Sequence, residues 1–169
     1  MSQLKVNSIV PSGGLPAGAS GGIIQCVQTV KTDTFSTTST TFTDITGMSV
    51  SITPSSSSSK ILVFVYLNDS NSANFTMHKL LRGSTDIFLG DSAGSRIQVT
   101  AGAMTDNNRL RTTNFQYLDS PSTTSATTYK VQMRVNTSET GYINRSSADP
   151  DGVPYMRSAS AITVMEVSG

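Results

Sequence analysis

The chain has almost none of the side chains from which most metal sites and many active sites are built. Its 169 residues include one cysteine, one histidine and no tryptophan. A single cysteine, Cys26, excludes an internal disulfide and a cysteine-based zinc site. A single histidine, His78, excludes most histidine metal sites and most acid–base designs. The residues therefore suggest no cofactor and no bound metal.

Long apolar runs are missing as well. No uninterrupted apolar segment approaches the roughly 20 residues that a membrane-spanning helix requires. The first ten residues, MSQLKVNSIV, lack the basic start and apolar centre of a signal peptide. We therefore expect that the chain does not insert into a membrane. We also expect that it is synthesised in a reducing cytoplasm, which it can leave as part of a larger particle.

Charge is scarce and balanced. Charged residues make up 14% of the chain, against about 25% in an average globular protein. The 12 Lys and Arg nearly cancel the 11 Asp and Glu, which leaves a formal net charge of +1. Binding to nucleic acid or to an anionic membrane needs clustered basic residues, so this composition argues against both partners.

Small hydroxyl side chains take the place of charge. The chain contains 27 Ser and 23 Thr, but only two Glu, Glu139 and Glu166. Strong helix formers are therefore rare, while Thr, Val and Gly favour strands and turns. The composition predicts an all-β protein rather than a helical bundle.

Residues 1–22 are predicted to form an extended arm. Proline and glycine are frequent in this stretch and disfavour a helix or a central strand. The arm nevertheless carries apolar residues that a monomer could not bury, namely Leu4, Val6, Ile9, Val10 and Leu15. One interpretation is a disordered tail. The other, which we favour, is an attachment arm that orders against sister chains or a docking partner.

The body, residues 23–169, consists of short strand patterns separated by turn signals. In the segment 42–53, Met48, Val50 and Ile52 alternate with hydroxyl residues, as expected for a strand with one face in the core. Strand patterns occur at 23–30, 42–53, 60–67, 74–90 (a hairpin), 96–104, 114–118, 129–136, 142–145 and 161–167. This spacing predicts an antiparallel β-sandwich or jelly roll.

Two strands are apolar at nearly every position, KILVFVYL at 60–67 and AITVMEV at 161–167. Strands of this kind are covered on both faces and lie in the middle of a sheet. We therefore predict that these strands supply residues for the core or for packing between subunits, namely Leu62, Phe64, Tyr66, Ile162 and Val164.

One string imitates a catalytic motif. Residues 90–94, GDSAG, match the G-x-S-x-G nucleophile elbow. The elbow requires a following helix, but the residues after Gly94 suggest a strand. A hydrolase triad also needs a histidine after the serine, or a histidine and an intervening buried aspartate before it. No histidine follows Ser92, and Asp86 is the only acid between His78 and Ser92 that could serve. We interpret the string as a turn and predict no enzymatic activity.

The remaining candidate groups are predicted to be structural. His78 is expected at the surface or at an interface, and Cys26 is expected in the core of an apolar strand. Asp149 and Asp151 are read as part of a turn rather than as calcium ligands. Five aromatic residues could stack on sugars but more simply pack in the core or between subunits: Tyr66, Phe115, Tyr117, Tyr142 and Tyr155.

Several phrases of the sequence resemble small virion structural proteins of marine tailed phages. The resemblance rests on LKVNSIVPSGG (4–14), the block from Val27 to Val63, KLLRGSTDIFLGDSAGSR (79–96), YLDSPSTTSATTYKVQ (117–132), INRSS (143–147) and SAITVMEV (160–167). It implies a homotrimeric jelly roll similar to tumour necrosis factor, which serves as a fibre or spike knob or decorates a capsid. It assigns no catalytic residues.

Two classes of function follow. The first is a virion structural protein, located in the virion, whose arm binds capsid or tail proteins. This class leaves open a head or a tail position and contact with a glycan of the host surface. The second is a free carbohydrate-binding or adhesin domain, which predicts a monomer with an accessible aromatic platform.

Overall fold

The computed structural model describes residues 22–73, 75–104 and 109–169. The predicted arm residues, Leu4, Val6, Ile9, Val10 and Leu15, lie outside the described residues. Within the described ranges the chain forms eleven strands and no helix. The strands are β1 (Ile23–Lys31), β2 (Phe35–Thr37), β3 (Thr43–Ile52), β4 (Lys60–Asn71), β5 (Phe75–Arg82), β6 (Thr85–Ile87), β7 (Ala101–Met104), β8 (Arg111–Asp119), β9 (Thr127–Val135), β10 (Gly141–Ile143) and β11 (Ser160–Val167).

The strands form two antiparallel sheets. In the first, sheet A, the order is β1, β11, β4, β10 and β2. β11 and β10 pair with successive parts of one edge of β4, and β8 pairs with the opposite edge. In the second, sheet B, the order is β3, β9, β5 and β6, and β7 also pairs with β5. The two sheets enclose a shared core, so the predicted antiparallel β-sandwich is confirmed.

The core forms because apolar residues recur at every second position of strands in both sheets. In β4 these residues are Ile61, Val63, Val65 and Leu67, which are at most 3% exposed. Sheet B contributes alternate residues of β3 and β9, and Met48, Val50 and Ile52 are buried as predicted. A small hydroxyl residue at the intervening positions leaves the opposite face of β3 exposed.

The prediction that the segments 60–67 and 161–167 lie in the middle of a sheet is confirmed. β11 lies between β1 and β4, and β4 has paired strands on both edges. The prediction that the segment 60–67 is covered on both faces is wrong for the single chain. Leu62 and Phe64 are only half-buried and Tyr66 is 48% exposed, since nothing in the described residues packs over them.

The predicted strand at 96–104 is shorter than expected, because only β7 at its end pairs with a neighbour. Residues 88–100 instead form a loop that folds back on itself. The Gly90 amide donates to the Val99 carbonyl oxygen at 3.2 Å, and the Gln98 side chain donates to the Gly90 carbonyl oxygen at 2.8 Å. Alternation of apolar and polar residues indicates extended backbone, but a strand also needs a partner at its edge.

Val164→Asp is predicted to destabilise the fold strongly. Val164 is fully buried in β11, and an unpaired carboxylate there costs about 3–5 kcal/mol. That is a large part of the 5–15 kcal/mol that stabilises an ordinary domain. Urea denaturation followed by circular dichroism measures the effect. Ser51→Asp is the matched control, because Ser51 is an exposed position on the outward side of β3. A comparable loss of stability in this variant would contradict the assignment of faces.

Candidate functional site

The GDSAG string does not form a catalytic elbow. Residues 90–94 lie in the exposed loop between β6 and β7, and Gly94 is followed by further loop rather than by a helix. Asp86 lies on the surface, where it pairs with Lys79. The histidine, in contrast, is inside the molecule and engages a different aspartate. The predicted turn therefore agrees with the structure, and the residues considered for a triad lie in different environments.

His78 is fully buried, so its prediction as a surface or interface residue is wrong. It lies on β5 and points into the space between the sheets, where its Nε2 atom is 3.1 Å from Oδ2 of Asp69 on β4. Thr76 and Thr113 also donate hydrogen bonds to this carboxylate. Sequence alternation placed His78 on one face with Thr76 and Leu80, but only the fold shows that this face is the inner one.

The environment of Asp69 keeps its carboxylate ionised. Burial disfavours the charged form and is the largest influence, but the hydrogen bonds from His78, Thr76 and Thr113 together outweigh it and lower the pKa of Asp69. Because an ionised carboxylate can only accept hydrogen bonds, the Nε2 atom of His78 is the donor in this pair. Its Nδ1 atom has no hydrogen-bond partner among the described residues. This cluster holds the two sheets together and offers no opening to a substrate.

Cys26 is exposed, so its prediction as a core residue is also wrong. It lies on β1, where the buried side of the strand is taken by Gln25 and Val27. The strand is largely uncharged on both sides, and a pattern of that kind does not show which side faces the core.

Ion pairs hold the turn at residues 149–152. Asp149 accepts from Arg157 at 2.7 Å and lies 3.3 Å from Arg145. Within the described part of the chain, no group of three or more His, Cys, Asp or Glu side chains is placed to hold a metal ion. Over the same residues, no helix has the length and apolar character needed to cross a membrane.

The five aromatic residues considered for sugar stacking do not share one environment. Phe115 and Tyr117 pack against the core, and Phe88 stacks on Tyr117 with ring centroids 5.0 Å apart. The guanidinium of Arg145 covers the ring of Tyr142 at 4.4 Å. Tyr66 and Tyr155 remain 48% and 36% exposed. Most of these rings are therefore structural, as predicted.

The most distinctive surface is the outer face of sheet A. The registers of β1, β11, β4 and β8 align their outward side chains in three rows of four. The first row is Cys26, Met165, Leu62 and Leu118; the second is Gln28, Thr163, Phe64 and Gln116; the third is Val30, Ala161, Tyr66 and Asn114. None of these side chains carries a charge at neutral pH. We call these twelve residues the uncharged face.

The uncharged face contains some of the most exposed apolar side chains of the described residues. Val30 is 54% exposed, and Tyr66 and Leu118 are each 48% exposed. A shallow groove of about 680 Å³ crosses the face, and its floor and walls include Phe64, Tyr66 and Gln116. Contiguous apolar surface of this kind is uncommon on monomers and usually marks an interaction site.

The structure separates the predicted packing residues into two groups. Ile162 and Val164 are fully buried in the core. Leu62, Phe64 and Tyr66 lie instead on the uncharged face. Sequence reasoning did not identify the partners of these three residues on β1, β8 and β11. Their alternating uncharged positions were visible in the sequence, but their alignment depends on pairing between distant segments.

The outer face of sheet B is different, because charged residues lie along it. Lys130 pairs with Asp44 at 2.8 Å, and Lys79 pairs with Asp86. Arg134 and Lys79 both approach the ring of Phe42. These charges need water or ionic partners, so this face is suited to solvent. The two outer faces of one sandwich therefore have opposite character.

Glu166 fixes the strand that runs through the middle of the uncharged face. It is fully buried at the end of β11 and accepts hydrogen bonds from the backbone amide and hydroxyl of Ser55 at 2.7 and 2.6 Å, and from Gln25 at 2.6 Å. Burial raises its pKa, but the hydrogen bonds from Ser55 and Gln25 outweigh burial and lower it to about 2. The carboxylate thus joins β1, β11 and the loop after β3.

Comparisons with known proteins do not show a family for this chain. No protein-family model matches the chain, and no curated protein matches it. Among solved structures, the chain is similar to a chain in the structure of infectious bursal disease virus, Gx strain, with 13% sequence identity and a TM-score of 0.35. The match covers 86% of this chain and 42% of that chain, so this chain spans less than half the length of its viral neighbour.

Glu166→Gln is predicted to destabilise the protein in a pH-dependent manner. The pKa of Glu166 is about 2 in the folded protein and 4.5 as the ordinary value. Because the folded-state pKa is lowered, the contribution of the carboxylate is complete above about pH 4.5 and disappears as the pH falls toward about 2.

Thermal unfolding of the native protein and of Glu166→Gln between pH 2 and pH 7 measures this effect. The difference in Tm is expected to be largest at neutral pH and to shrink below pH 4.5. Asp91→Asn is the control, because Asp91 lies in the exposed loop between β6 and β7. A difference in Tm for Glu166→Gln that is constant across the range would contradict the role of the carboxylate.

Proposed function

We propose that this protein is a non-enzymatic structural subunit of a tailed-phage virion, and that it assembles as a homotrimer through the uncharged face. The observation that carries the assembly proposal is the three rows of uncharged side chains on the outer face of sheet A. The virion assignment is supported by the resemblance of the sequence to structural proteins of marine phages.

The exposed apolar side chains of the uncharged face favour association. Leaving Phe64, Tyr66 and Leu118 in contact with water forfeits roughly 25 cal/mol for each Å² of apolar surface that an interface would bury. A stable interface needs about 800 Å² from each partner. Three rows across four strands cover roughly 400 Å², since neighbouring strands lie about 4.8 Å apart and alternate residues about 6.7 Å apart. The uncharged face therefore provides about half of such an interface, and the surface beside it has to provide the rest.

The polar members of the uncharged face suit an interface between copies of the chain. Gln28 donates to the Thr163 hydroxyl at 2.7 Å, and the amides of Gln116 and Asn114 lie on β8, on the other side of Phe64 and Tyr66. Neutral amides and hydroxyls provide hydrogen bonds across an interface without the desolvation cost of charge. Both groups donate and accept, so the same residues of three copies can bond to one another around a three-fold axis.

In this arrangement the body of each subunit directs its charged sheet B outward. The arm, residues 1–22, binds capsid or tail proteins and attaches the trimer to the particle. The fibre knob, spike and capsid decoration roles use the same trimer and differ only in where the arm binds. The location of the chain in a reconstruction of the purified particle distinguishes these roles.

A carbohydrate-binding domain is the second candidate, because of one observation. The groove on the uncharged face combines the rings of Phe64 and Tyr66 with the amides of Gln28, Asn114 and Gln116. Aromatic rings and amides together suit a sugar. A glycan and a sister subunit would occupy the same surface, so the oligomeric state of the protein separates the two functions.

The native chain is predicted to sediment as a trimer, at three times its mass of 17.8 kDa. Thr163→Asp is predicted to shift the assembly toward monomers by at least about 100-fold in dissociation constant, because it places like charges close together at the interface. Analytical ultracentrifugation over a dilution series measures both. A strictly monomeric native chain would overturn the trimer and favour the carbohydrate-binding candidate.

Two controls make this experiment specific. Ser51→Asp adds the same charge to an exposed position on the outer face of sheet B and is expected to leave the trimer intact. Cys26, the only thiol in the chain, belongs to the uncharged face and reports its coverage directly. Its reaction with a thiol reagent is expected to be slow in the trimer and fast in Thr163→Asp.

Removal of residues 1–22 is predicted to leave a folded, trimeric body that no longer joins the particle. The described strands begin at Ile23, so the truncation removes none of them. Circular dichroism and ultracentrifugation test the body, and binding to particles that lack this protein tests attachment. A truncated protein that still binds such particles at the native level would contradict the role of the arm.

A further inference from the structure

The outer face of sheet A continues beyond the uncharged face, where the same chain covers it. Past Tyr66, the outward side chains of β4 are Asn68 and Ser70, and both are buried. Asn68 donates to the Ala159 carbonyl oxygen at 2.7 Å, and Ser70 donates to the Arg145 carbonyl oxygen at 2.8 Å. Residues 144–159, which we call the covering segment, therefore lie over this part of the sheet and border the uncharged face.

The base of the covering segment is rigidly held. Arg145 stacks on Tyr142 of β10 and lies 3.3 Å from Asp149. Arg157, at the far end of the segment, donates a hydrogen bond to the same carboxylate at 2.7 Å. Hydrogen bonding from Arg157 lowers the pKa of Asp149 against the opposing effect of burial, so the carboxylate stays charged between the two guanidinium groups.

The tip of the covering segment is apolar and turned away from the molecule. Val153 is fully exposed, Met156 is 55% exposed and Tyr155 is 36% exposed. A turn in which the Tyr155 amide donates to the Gly152 carbonyl oxygen at 3.0 Å fixes their positions. Single exposed apolar residues are ordinary, but three within four residues on an anchored loop indicate a contact. We call these three residues the loop tip.

We propose that the loop tip packs against a neighbouring copy of this chain and forms the rim of its interface. This inference rests on the proposed assembly through the uncharged face. A sister subunit that buries Phe64 and Tyr66 must approach the outer face of sheet A to within side-chain contact. The covering segment rises from that same face, next to the row that contains Tyr66. The approaching subunit therefore meets the loop tip.

A rim of this kind fixes the position and orientation of the neighbouring subunit, which the uncharged face alone does not. Three rows of similar uncharged side chains permit the partner to slide or rotate, because apolar contact is not directional. A raised, anchored loop stops that movement at one position and sets the orientation of the subunits. The loop tip is consequently expected to determine the geometry of the assembly as well as its strength.

The absence of tryptophan from the chain provides a direct test. Val153→Trp introduces a single reporter at the loop tip, and its emission and quenching by iodide are followed over a dilution series. In the assembled protein we expect blue-shifted emission and protection from iodide, and both are lost on dissociation. Ser92→Trp, in the exposed loop between β6 and β7, is the matched control and is expected to stay accessible throughout.

A second variant measures the energetic contribution. The double substitution Val153→Asp with Met156→Ser is expected to weaken assembly about 10-fold while circular dichroism remains native, because these side chains make no core contact. A native chain that never assembles would overturn the proposed function and this inference together. An assembled chain in which the tryptophan at position 153 stays open to iodide would overturn the rim alone and leave the proposed function standing.

Discussion

The period of two along a strand is the constraint on which the whole structure depends. Each residue of β4 or β11 must point to one of two faces, and both strands are mainly apolar or uncharged on both faces. Their inner residues, such as Val63 and Val164, form the core with sheet B. No described residue packs over the outer side chains Leu62, Phe64 and Tyr66 of β4. Forming the core of one subunit therefore leaves an uncharged outer surface.

Buried carboxylates secure this arrangement where apolar packing ends. Asp69 joins β4 to β5 and β8. Glu166 joins β11 to β1 and to the loop after β3. Asp119 accepts hydrogen bonds from Arg82 and Tyr129. Each is buried and each is provided with several donors, which offsets the cost of desolvation. These three acids differ from the exposed ones of the chain, since each of them connects neighbouring strands.

The chemistry of the surface is compatible with the proposed assembly. The serine of the GDSAG string lies in an exposed loop, while the histidine is enclosed between sheets with Asp69. The uncharged face, by contrast, extends over four strands and is bordered by an anchored apolar loop. Low net charge suits this function, because long-range repulsion between copies is weak. The Ser and Thr residues satisfy hydrogen bonds at surfaces and turns without adding charge.

Local sequence determined the class of fold, most of the strands and the core positions of β3 and β11, because alternation and turn residues act between near neighbours. It did not determine which side of β1 is buried or where His78 points. Both sides of β1 are largely uncharged, and the pattern around His78 fits either orientation. Those choices were made by pairing between segments far apart in the chain. The same pairing aligned Cys26, Met165, Leu62 and Leu118 into one row and placed the covering segment beside Tyr66, since strand register is a property of the assembled sheet rather than of any single strand.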